Sequence, residues 1–295
     1  MGPFMFLAYV NILVQDNILY CDDTSIISSS PDPLELEIDL NIRVNTLTQN
    51  FAIHHLGVNP AKTVIMRFKS GKSKASVEPC IELCGVNLEC APSAKVLGMH
   101  VDHFLRWDAH VDAIIPKICS GLYVLRSIVP LSELNVTLSV YYALIQSHIK
   151  YGIILWGACS VSNLDRVLRL QKKAIRIMCK LSRNDSTRTY FKELKILTAP
   201  ALYVLDLCLL VNQDSRKLGE NHHYSTRNQN TFLLPKHKTK RFESMPSYQA
   251  LKCFNHLPRE IREVSKTKKF GPRLKEFLIE NPIYSMAEFW AMPKS

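Results

Sequence analysis

The sequence predicts an α+β fold in which short antiparallel strands and one helix precede a mainly helical region. Up to about residue 101, apolar residues form short runs separated by turn-forming residues, a pattern typical of hairpins. From about Trp107 onward, apolar residues recur at three- and four-residue steps, which indicates helices. A hydrophobic content of 47% with 21% charged residues is that of a globular protein, and 295 residues suffice for one large or two ordinary domains.

The chain is basic, and its charge is unevenly distributed. It carries 37 Lys and Arg against 26 Asp and Glu, a net charge of +11. Residues 1–60 hold seven acids and one base, Arg43, so the basic excess lies downstream. This balance favours a polyanionic partner, either nucleic acid or an anionic membrane surface.

The cysteines and the apolar segments bear on the cellular compartment. Nine cysteines at irregular spacing predict a reducing, intracellular location, the nucleus or the cytoplasm, and no disulfide-linked partner. Residues 1–15 are apolar but lack a basic start and a small-residue cleavage site, and residues 134–149 are too short and polar to cross a bilayer. We therefore expect no membrane partner.

Two adjacent carboxylates, Asp22 and Asp23, stand between two β-prone runs, residues 17–21 and 24–27. This pattern predicts a β-hairpin with both acids at its tip. Like charges repel, so the pair gains little unless a cation lies between them, and hard oxygen ligands suit Mg²⁺. A solvated turn is the alternative, and the dipeptide alone favours it.

The elements that follow are predicted in chain order. Residues 28–33 combine capping residues with a proline suited to a first helical turn. Apolar residues then alternate strictly from Leu34 to Val44, as in a strand, but Leu40, Val44, Leu47 and Phe51 keep helical spacing, and we predict a helix. Strands are predicted at residues 63–68, 81–88 and 94–101. Helices are predicted from about 107 to 128, 132 to 151, 162 to 181, 200 to 213, 249 to 257 and 272 to 279.

The predicted helix at residues 162–181 combines an apolar face with a basic stripe on another face. The stripe consists of Arg166, Arg169, Lys173, Arg176 and Lys180. Because cations on one helix face repel each other, the stripe indicates nearby phosphates or acidic neighbours. A solvated surface is an equally good interpretation. Tyr151 and Trp156 precede the helix and could stack on bases, although a core position is the simpler explanation.

Several distinctive motifs follow one another along the chain. The N-terminal motifs are Gly2-Pro3-Phe4-Met5-Phe6-Leu7-Ala8-Tyr9-Val10-Asn11 and Tyr20-Cys21-Asp22-Asp23-Thr24. Further segments are Leu56-Gly57-Val58-Asn59-Pro60-Ala61-Lys62-Thr63, Lys95-Val96-Leu97-Gly98-Met99-His100-Val101-Asp102, Tyr151-Gly152, Trp156-Gly157, Leu170-Gln171-Lys172-Lys173-Ala174-Ile175-Arg176 and Phe254-Asn255-His256-Leu257-Pro258. In this order the motifs resemble non-LTR, jockey-like retrotransposon reverse transcriptases, and the N-terminal motifs resemble the palm of those enzymes. Ile12 stands where the family has an acid, and Cys21 where it has alanine. The resemblance covers nearly the whole chain.

The resemblance implies RNA-directed DNA synthesis by a two-metal mechanism. Asp22 and Asp23 would hold Mg²⁺ or Mn²⁺, Lys62 would act at the leaving pyrophosphate, and Leu97 and Gly98 would grip the primer. An ordinary surface lysine and a plain turn glycine are the alternatives for Lys62 and Gly98. The partners would be an RNA template with a DNA primer, or an RNA–DNA hybrid.

The implied domains are a partial palm (1–106), a helical thumb-like region (107–213) and a basic linker with a helical tail (214–295). The family's metal site needs a further aspartate from an earlier palm strand, and we expect the chain to begin after that strand. We therefore expect a truncated enzyme that is inactive alone. The alternatives are a non-catalytic nucleic-acid-binding module that uses the basic helix and tail, and a pseudogene product without a stable fold.

Overall fold

The computed structural model describes residues 17–68, 78–211 and 231–293, and it confirms the α+β class. The motif at residues 2–11 and the predicted linker at 214–230 lie outside the described residues. The chain divides into two compact units, residues 1–105 and 106–295. Whether the functional division into palm, thumb-like region and tail holds stays a prediction.

The first unit contains three antiparallel hairpins and one long helix. Its strands are β1 (Ile18–Tyr20), β2 (Asp23–Ser25), β3 (Ile81–Leu83), β4 (Val86–Leu88), β5 (Ser93–Val96) and β6 (Met99–Asp102). They pair β1 with β2, β3 with β4 and β5 with β6. The helix is α1 (Pro33–Ile53), followed by a 3₁₀ turn at Pro60–Lys62.

The segment whose apolar pattern fitted both a strand and a helix forms helix α1, as predicted. The Asp32 side chain accepts a hydrogen bond from the Leu34 amide at 3.0 Å, so it caps the helix. Because alternate residues of a helix lie on opposite sides, the alternation gives α1 two apolar faces. Leu40 and Val44 are half-buried, whereas Ile38 belongs to an exposed face.

A polar side chain of α1 holds the neighbouring hairpin. Asn41 donates to the Cys80 carbonyl at 3.0 Å and accepts from the Glu82 amide at 3.1 Å. The amide of Asn41 thereby satisfies backbone groups at the edge of β3, much as another strand would. Ile81 and Leu83 of that strand are buried.

Three of the strand predictions need correction. Residues 63–68 do not form a strand, since Ile65 makes only an isolated bridge with Cys90. Residues 81–88 and 94–101 each fold back on themselves as a hairpin instead of forming one strand. Both turns consist of a residue and a glycine at positive φ, at Cys84-Gly85 and at Leu97-Gly98 (47° and 81°), which suits the twist of a two-residue hairpin.

The second unit is a helical assembly that contains most of the buried apolar side chains among the described residues. Its helices are α2 (Asp108–Ile128), α3 (Leu134–Tyr141), α4 (Ser147–Lys150), α5 (Ile153–Trp156), α6 (Val161–Met178), α7 (Arg188–Glu193), α8 (Ala199–Val211), α9 (Lys240–Glu243), α10 (Pro246–His256), α11 (Arg259–Glu263), α12 (Phe270–Glu280) and α13 (Met286–Ala291). A π-helical stretch, Tyr142–Gln146, joins α3 to α4.

Helix α8 forms the centre of this unit. It is apolar on nearly every side and is buried along most of its length, as expected for a core helix. Helices α5, α6, α10 and α12 pack against it, so the C-terminal helices complete its enclosure. Because residues 246–280 cover α8, they belong to the same core as the helices from residue 106 onward.

Candidate nucleic-acid-binding site

The predicted carboxylate hairpin is present. Tyr20 pairs with Asp23 across β1 and β2, so Cys21 and Asp22 form the two-residue turn. Cys21 adopts a left-handed backbone with φ 54°, and Asp22 and Asp23 are both exposed. Two carboxylates therefore stand side by side at the tip, where they can accept a cation from solvent.

The hairpin does not bring together a full set of metal ligands. In the part of the chain that the structure describes, no three His, Cys, Asp or Glu side chains are grouped closely enough to hold a metal ion. A two-metal polymerase centre needs more carboxylate oxygens than Asp22 and Asp23 provide. Asp22 and Asp23 alone would therefore not make up such a centre.

Lys62 and the Leu97-Gly98 turn lie on other elements of the same unit. Lys62 ends the 3₁₀ turn that Asn59 caps, and its side chain is exposed. Leu97 and Gly98 form the tip of the β5–β6 hairpin, and the Leu97 side chain is partly exposed. Within the described residues, no hydrogen bond or ion pair joins Asp22, Lys62 and Gly98 to one another.

Helix α6 presents most of the predicted basic stripe. The Ser160 hydroxyl accepts from the Asn163 amide at 3.3 Å and caps the helix. At 100° per residue the five stripe positions fall within an arc of about 80°. The helix ends at Met178, however, and Lys180 adopts a left-handed φ of 52°, so Lys180 lies beyond the helix and not on it as predicted.

Some cations of the stripe form ion pairs or hydrogen bonds with other groups of the fold, and others do not. Arg166 forms an ion pair with Asp112 at 2.7 Å, and Arg176 donates to the Asp185 carbonyl at 3.1 Å. Arg169 pairs with Asp165 on the same helix, yet 70% of its side chain is exposed. Lys173 and Lys180 are exposed and form no ion pair among the described residues.

A second group of cations was not predicted. The Lys172 ammonium lies 3.8 Å from the centroid of the Tyr284 ring, and the Arg188 guanidinium carbon lies 4.3 Å from it. Arg188 also binds both oxygens of Glu288, at 2.9 and 3.0 Å. Burial is the main reason that the pKa of Lys172 is lowered. More than one hundred residues separate Lys172 from Tyr284, and no sequence pattern pairs them.

The two units differ in the sign of their net charge. Residues 106–295 hold 30 of the 37 Lys and Arg but only 15 of the 26 Asp and Glu. The first unit therefore carries an excess of acids, and the second carries the whole positive excess of the chain. A field of this sign attracts polyanions.

Comparison with known proteins finds a related sequence. The chain is 31% identical over 160 residues to a probable RNA-directed DNA polymerase from transposon BS of Drosophila melanogaster. The chain is related in sequence to a transposon RNA-directed DNA polymerase. The aligned region covers 53% of this chain and 18% of the fly protein, so the chain spans less than a fifth of that relative. No protein-family model and no solved structure matches.

Two further findings concern the cysteines and the helices; the predicted absence of a membrane or disulfide-linked partner stays a prediction. All nine cysteines carry free thiols. Among the described helices, none combines the length and the apolar character needed to cross a bilayer.

Proposed function

We propose that this chain is part of an RNA-directed DNA polymerase of the non-LTR retrotransposon type. The sequence relation to a transposon polymerase carries the proposal. It is supported by the hairpin whose tip bears Asp22 and Asp23, and by the excess of cations in residues 106–295. The substrates would be an RNA template and a DNA primer, or their hybrid.

In the complete enzyme, Asp22 and Asp23 would help to hold Mg²⁺ or Mn²⁺. The metal ions would supply activation of a primer hydroxyl and charge neutralisation at the leaving pyrophosphate. Lys62 would add positive charge near that leaving group, and Leu97 with Gly98 would contact the primer. Since the hairpin offers two carboxylates and a two-metal centre needs more, we propose that this polypeptide alone does not synthesise DNA.

Primer extension tests this proposal. The full chain is incubated with an RNA template, a labelled DNA primer, deoxynucleotides and Mg²⁺ or Mn²⁺. We expect no extension above that of the Asp22→Asn variant. Robust synthesis by the unaltered chain that Asp22→Asn abolishes would show that the site is complete and would refute the proposed inactivity.

A second function, nucleic-acid binding without catalysis, is favoured by the exposed cations of the second unit. Lys173 lies on helix α6 and Lys180 just beyond its end, and neither forms an ion pair among the described residues. Cations that no acidic neighbour neutralises bind phosphates and release counterions. Such a module would not depend on Asp23.

Neutralising the available cations should weaken binding more than neutralising paired ones. We expect Lys173→Gln/Lys180→Gln to lower the affinity for duplex nucleic acid and to reduce the slope of log K against log salt by about two, because two phosphate contacts are lost. Fluorescence anisotropy over a salt series measures both quantities.

The matched control is Arg259→Gln/Arg273→Gln. It removes the same charge, but these arginines are paired with Glu263 and Glu276 on their own helices. We expect this control to keep at least most of the salt slope. Equal losses in the two variants would mean that net charge alone, and not the stripe, determines binding.

A further inference from the structure

Two cationic side chains of the second unit lie against one aromatic ring, that of Tyr284. The Lys172 ammonium is 3.8 Å from the ring centroid, and the Arg188 guanidinium carbon is 4.3 Å from it. The two cationic groups are therefore no farther apart than these two distances combined. Both gain from the electrons of the ring, yet they also repel each other, and an anion beside them relieves that repulsion.

The Tyr284 ring is held in place by buried neighbours. Its hydroxyl shares a hydrogen bond of 2.8 Å with the Thr187 hydroxyl, and the Phe191 ring packs edge-on against it with centroids 6.0 Å apart. Both of these neighbours are buried. The Tyr284 backbone amide also donates to Glu288 at 2.9 Å. Because the ring is fixed, a cation that rests on it is already ordered and loses less conformational entropy when it binds a ligand.

Arg176 brings a further cation to the same place. It follows Lys172 by four residues on α6, so the two side chains are neighbours on the helix surface. Burial is the main reason that the pKa of Lys172 is lowered, and the charge of Arg176 lowers it further. Arg176 donates from Nη2 to the Asp185 carbonyl at 3.1 Å, and its Nε is buried without a hydrogen-bond partner among the described residues. A carbonyl carries no net charge, so the positive charge of this guanidinium is not neutralised there.

The acids near Lys172 are already paired with other cations. Two carboxylates act on its charge, those of Asp165 and Glu288. Asp165 forms an ion pair with Arg169, and Glu288 binds Arg188 through both oxygens, at 2.9 and 3.0 Å. Lys172 itself forms no ion pair within the described part of the chain. Its ammonium is therefore ordered by a ring and has no counterion of its own.

We propose that Lys172 and Arg176 together bind one phosphate group beside Tyr284, and we name these three residues the Tyr284 cluster. Cations one helical turn apart reach the oxygens of a single tetrahedral anion, and a guanidinium offers it parallel N–H donors. At 100° per residue, Lys172 lies about 40° beyond Arg176, just outside the basic stripe. The ligand presupposes the nucleic-acid-binding function proposed above: it is a backbone phosphate, bound where the stripe turns towards Tyr284.

Neutralising Lys172 tests the cluster. We expect Lys172→Gln in the full chain to weaken binding of a fluorescein-labelled duplex at least about threefold and to lower the slope of log K against log salt by about one, because one phosphate contact is lost. Lys172→Arg keeps the charge and should bind within about twofold of the unaltered chain. Arg176→Gln is a second measurement and should give a loss of the same kind. Circular dichroism and the urea midpoint verify the fold of each variant.

The matched control is Lys252→Gln. The Lys252 ammonium also lies over a ring, 5.3 Å from the centroid of Trp290, so the control removes the same charge and a similar contact. No Lys or Arg lies three or four residues from Lys252 on α10, so a second cation at helical spacing is absent there. We expect the salt slope to stay unchanged in the control. Equal losses in Lys172→Gln and Lys252→Gln would refute the Tyr284 cluster in favour of net charge alone.

Inorganic phosphate distinguishes the two sources of the phosphate group. The melting temperature of the full chain is measured in sodium phosphate and in sodium chloride of equal ionic strength, and we expect phosphate to stabilise the unaltered chain more than Lys172→Gln. A loss of duplex binding without this difference still supports a backbone phosphate, since neighbouring contacts add to it only in nucleic acid. The difference without a loss of duplex binding overturns nucleic acid as the source and leaves free phosphate as the ligand.

The two remaining outcomes separate the cluster from the function on which it depends. If neither duplex binding nor stabilisation by phosphate changes in Lys172→Gln, the Tyr284 cluster is refuted while nucleic-acid binding stands. If the unaltered chain binds no duplex at all, the nucleic-acid-binding function fails, and stabilisation by inorganic phosphate alone then decides whether the cluster binds phosphate.

Discussion

Replacing Gln171 with leucine should lower the free energy of unfolding of the second unit by about 3–5 kcal/mol. The Gln171 side chain is fully buried, and its amide nitrogen donates to the Tyr141 hydroxyl at 2.7 Å and to the Leu197 carbonyl at 2.8 Å. Its amide oxygen accepts from the Ala199 backbone at 2.8 Å. Leucine has a similar volume but leaves all three groups without this partner, and each unsatisfied buried group costs about 1–3 kcal/mol.

Urea unfolding followed by tryptophan fluorescence measures this loss selectively. All three tryptophans, Trp107, Trp156 and Trp290, lie in the second unit, so their emission reports on that unit. Gln249→Leu is the matched control, because Gln249 donates one hydrogen bond, to the Glu243 carbonyl at 2.7 Å, from a half-buried position. We expect its cost to be about 1 kcal/mol. Equal midpoints for the two variants would show that the Gln171 hydrogen bonds add nothing beyond ordinary packing.

Replacing Gly157 with alanine should also destabilise the second unit strongly, by about 3 kcal/mol or more. The added methyl carbon would overlap the Tyr203 ring, since it would lie 2.6 Å from Cγ and closer still to Cδ2. It would also lie 2.6 Å from the Ile153 carbonyl oxygen. Tyr203 is buried in α8, the central helix, so the ring cannot turn aside without disturbing the core.

Two further variants distinguish a clash from a general intolerance of change. In Gly271→Ala, the new methyl group would meet only the flexible end of Leu209 at 3.3 Å, and the helix gains propensity, so we expect unchanged or higher stability. Adding Tyr203→Ala to Gly157→Ala should relieve much of the overlap, so the double variant should lose less stability than the sum of the two single losses. A double-mutant cycle measures this coupling energy from urea midpoints. Additive losses in the cycle would contradict the proposed overlap.

The two units differ in how completely they bury apolar surface. Among the described residues of the first unit, Ile81, Leu83 and Met99 are the buried apolar side chains, whereas Leu34, Ile38 and Ile42 of α1 are exposed. The second unit encloses α8 from several sides. The basic helix proposed to bind nucleic acid therefore lies in the well-packed unit, while the carboxylate hairpin lies in the unit with the smaller core.

The sequence by itself determined the local features of this protein. The hairpin at Asp22 and Asp23, the helix after Pro33 and the amphipathic helix with the basic stripe all follow from short-range patterns, and the structure confirms them. Such features depend on capping, turn residues and periodicity, which neighbouring residues specify. The relation to a transposon polymerase is likewise visible in the order of the motifs.

Only the tertiary structure decided which polar side chains are paired within the fold and which are left to a ligand. The five cations of the stripe look equivalent in the sequence. In the structure, Arg166 forms an ion pair with Asp112, which is distant in sequence, and Lys180 lies beyond the end of the helix. The burial of Gln171 and the close approach of Tyr203 to Gly157 result from contacts between distant segments. Periodicity indicates which face of a helix is apolar, but the partner packed against that face determines which polar groups are paired or left to a ligand.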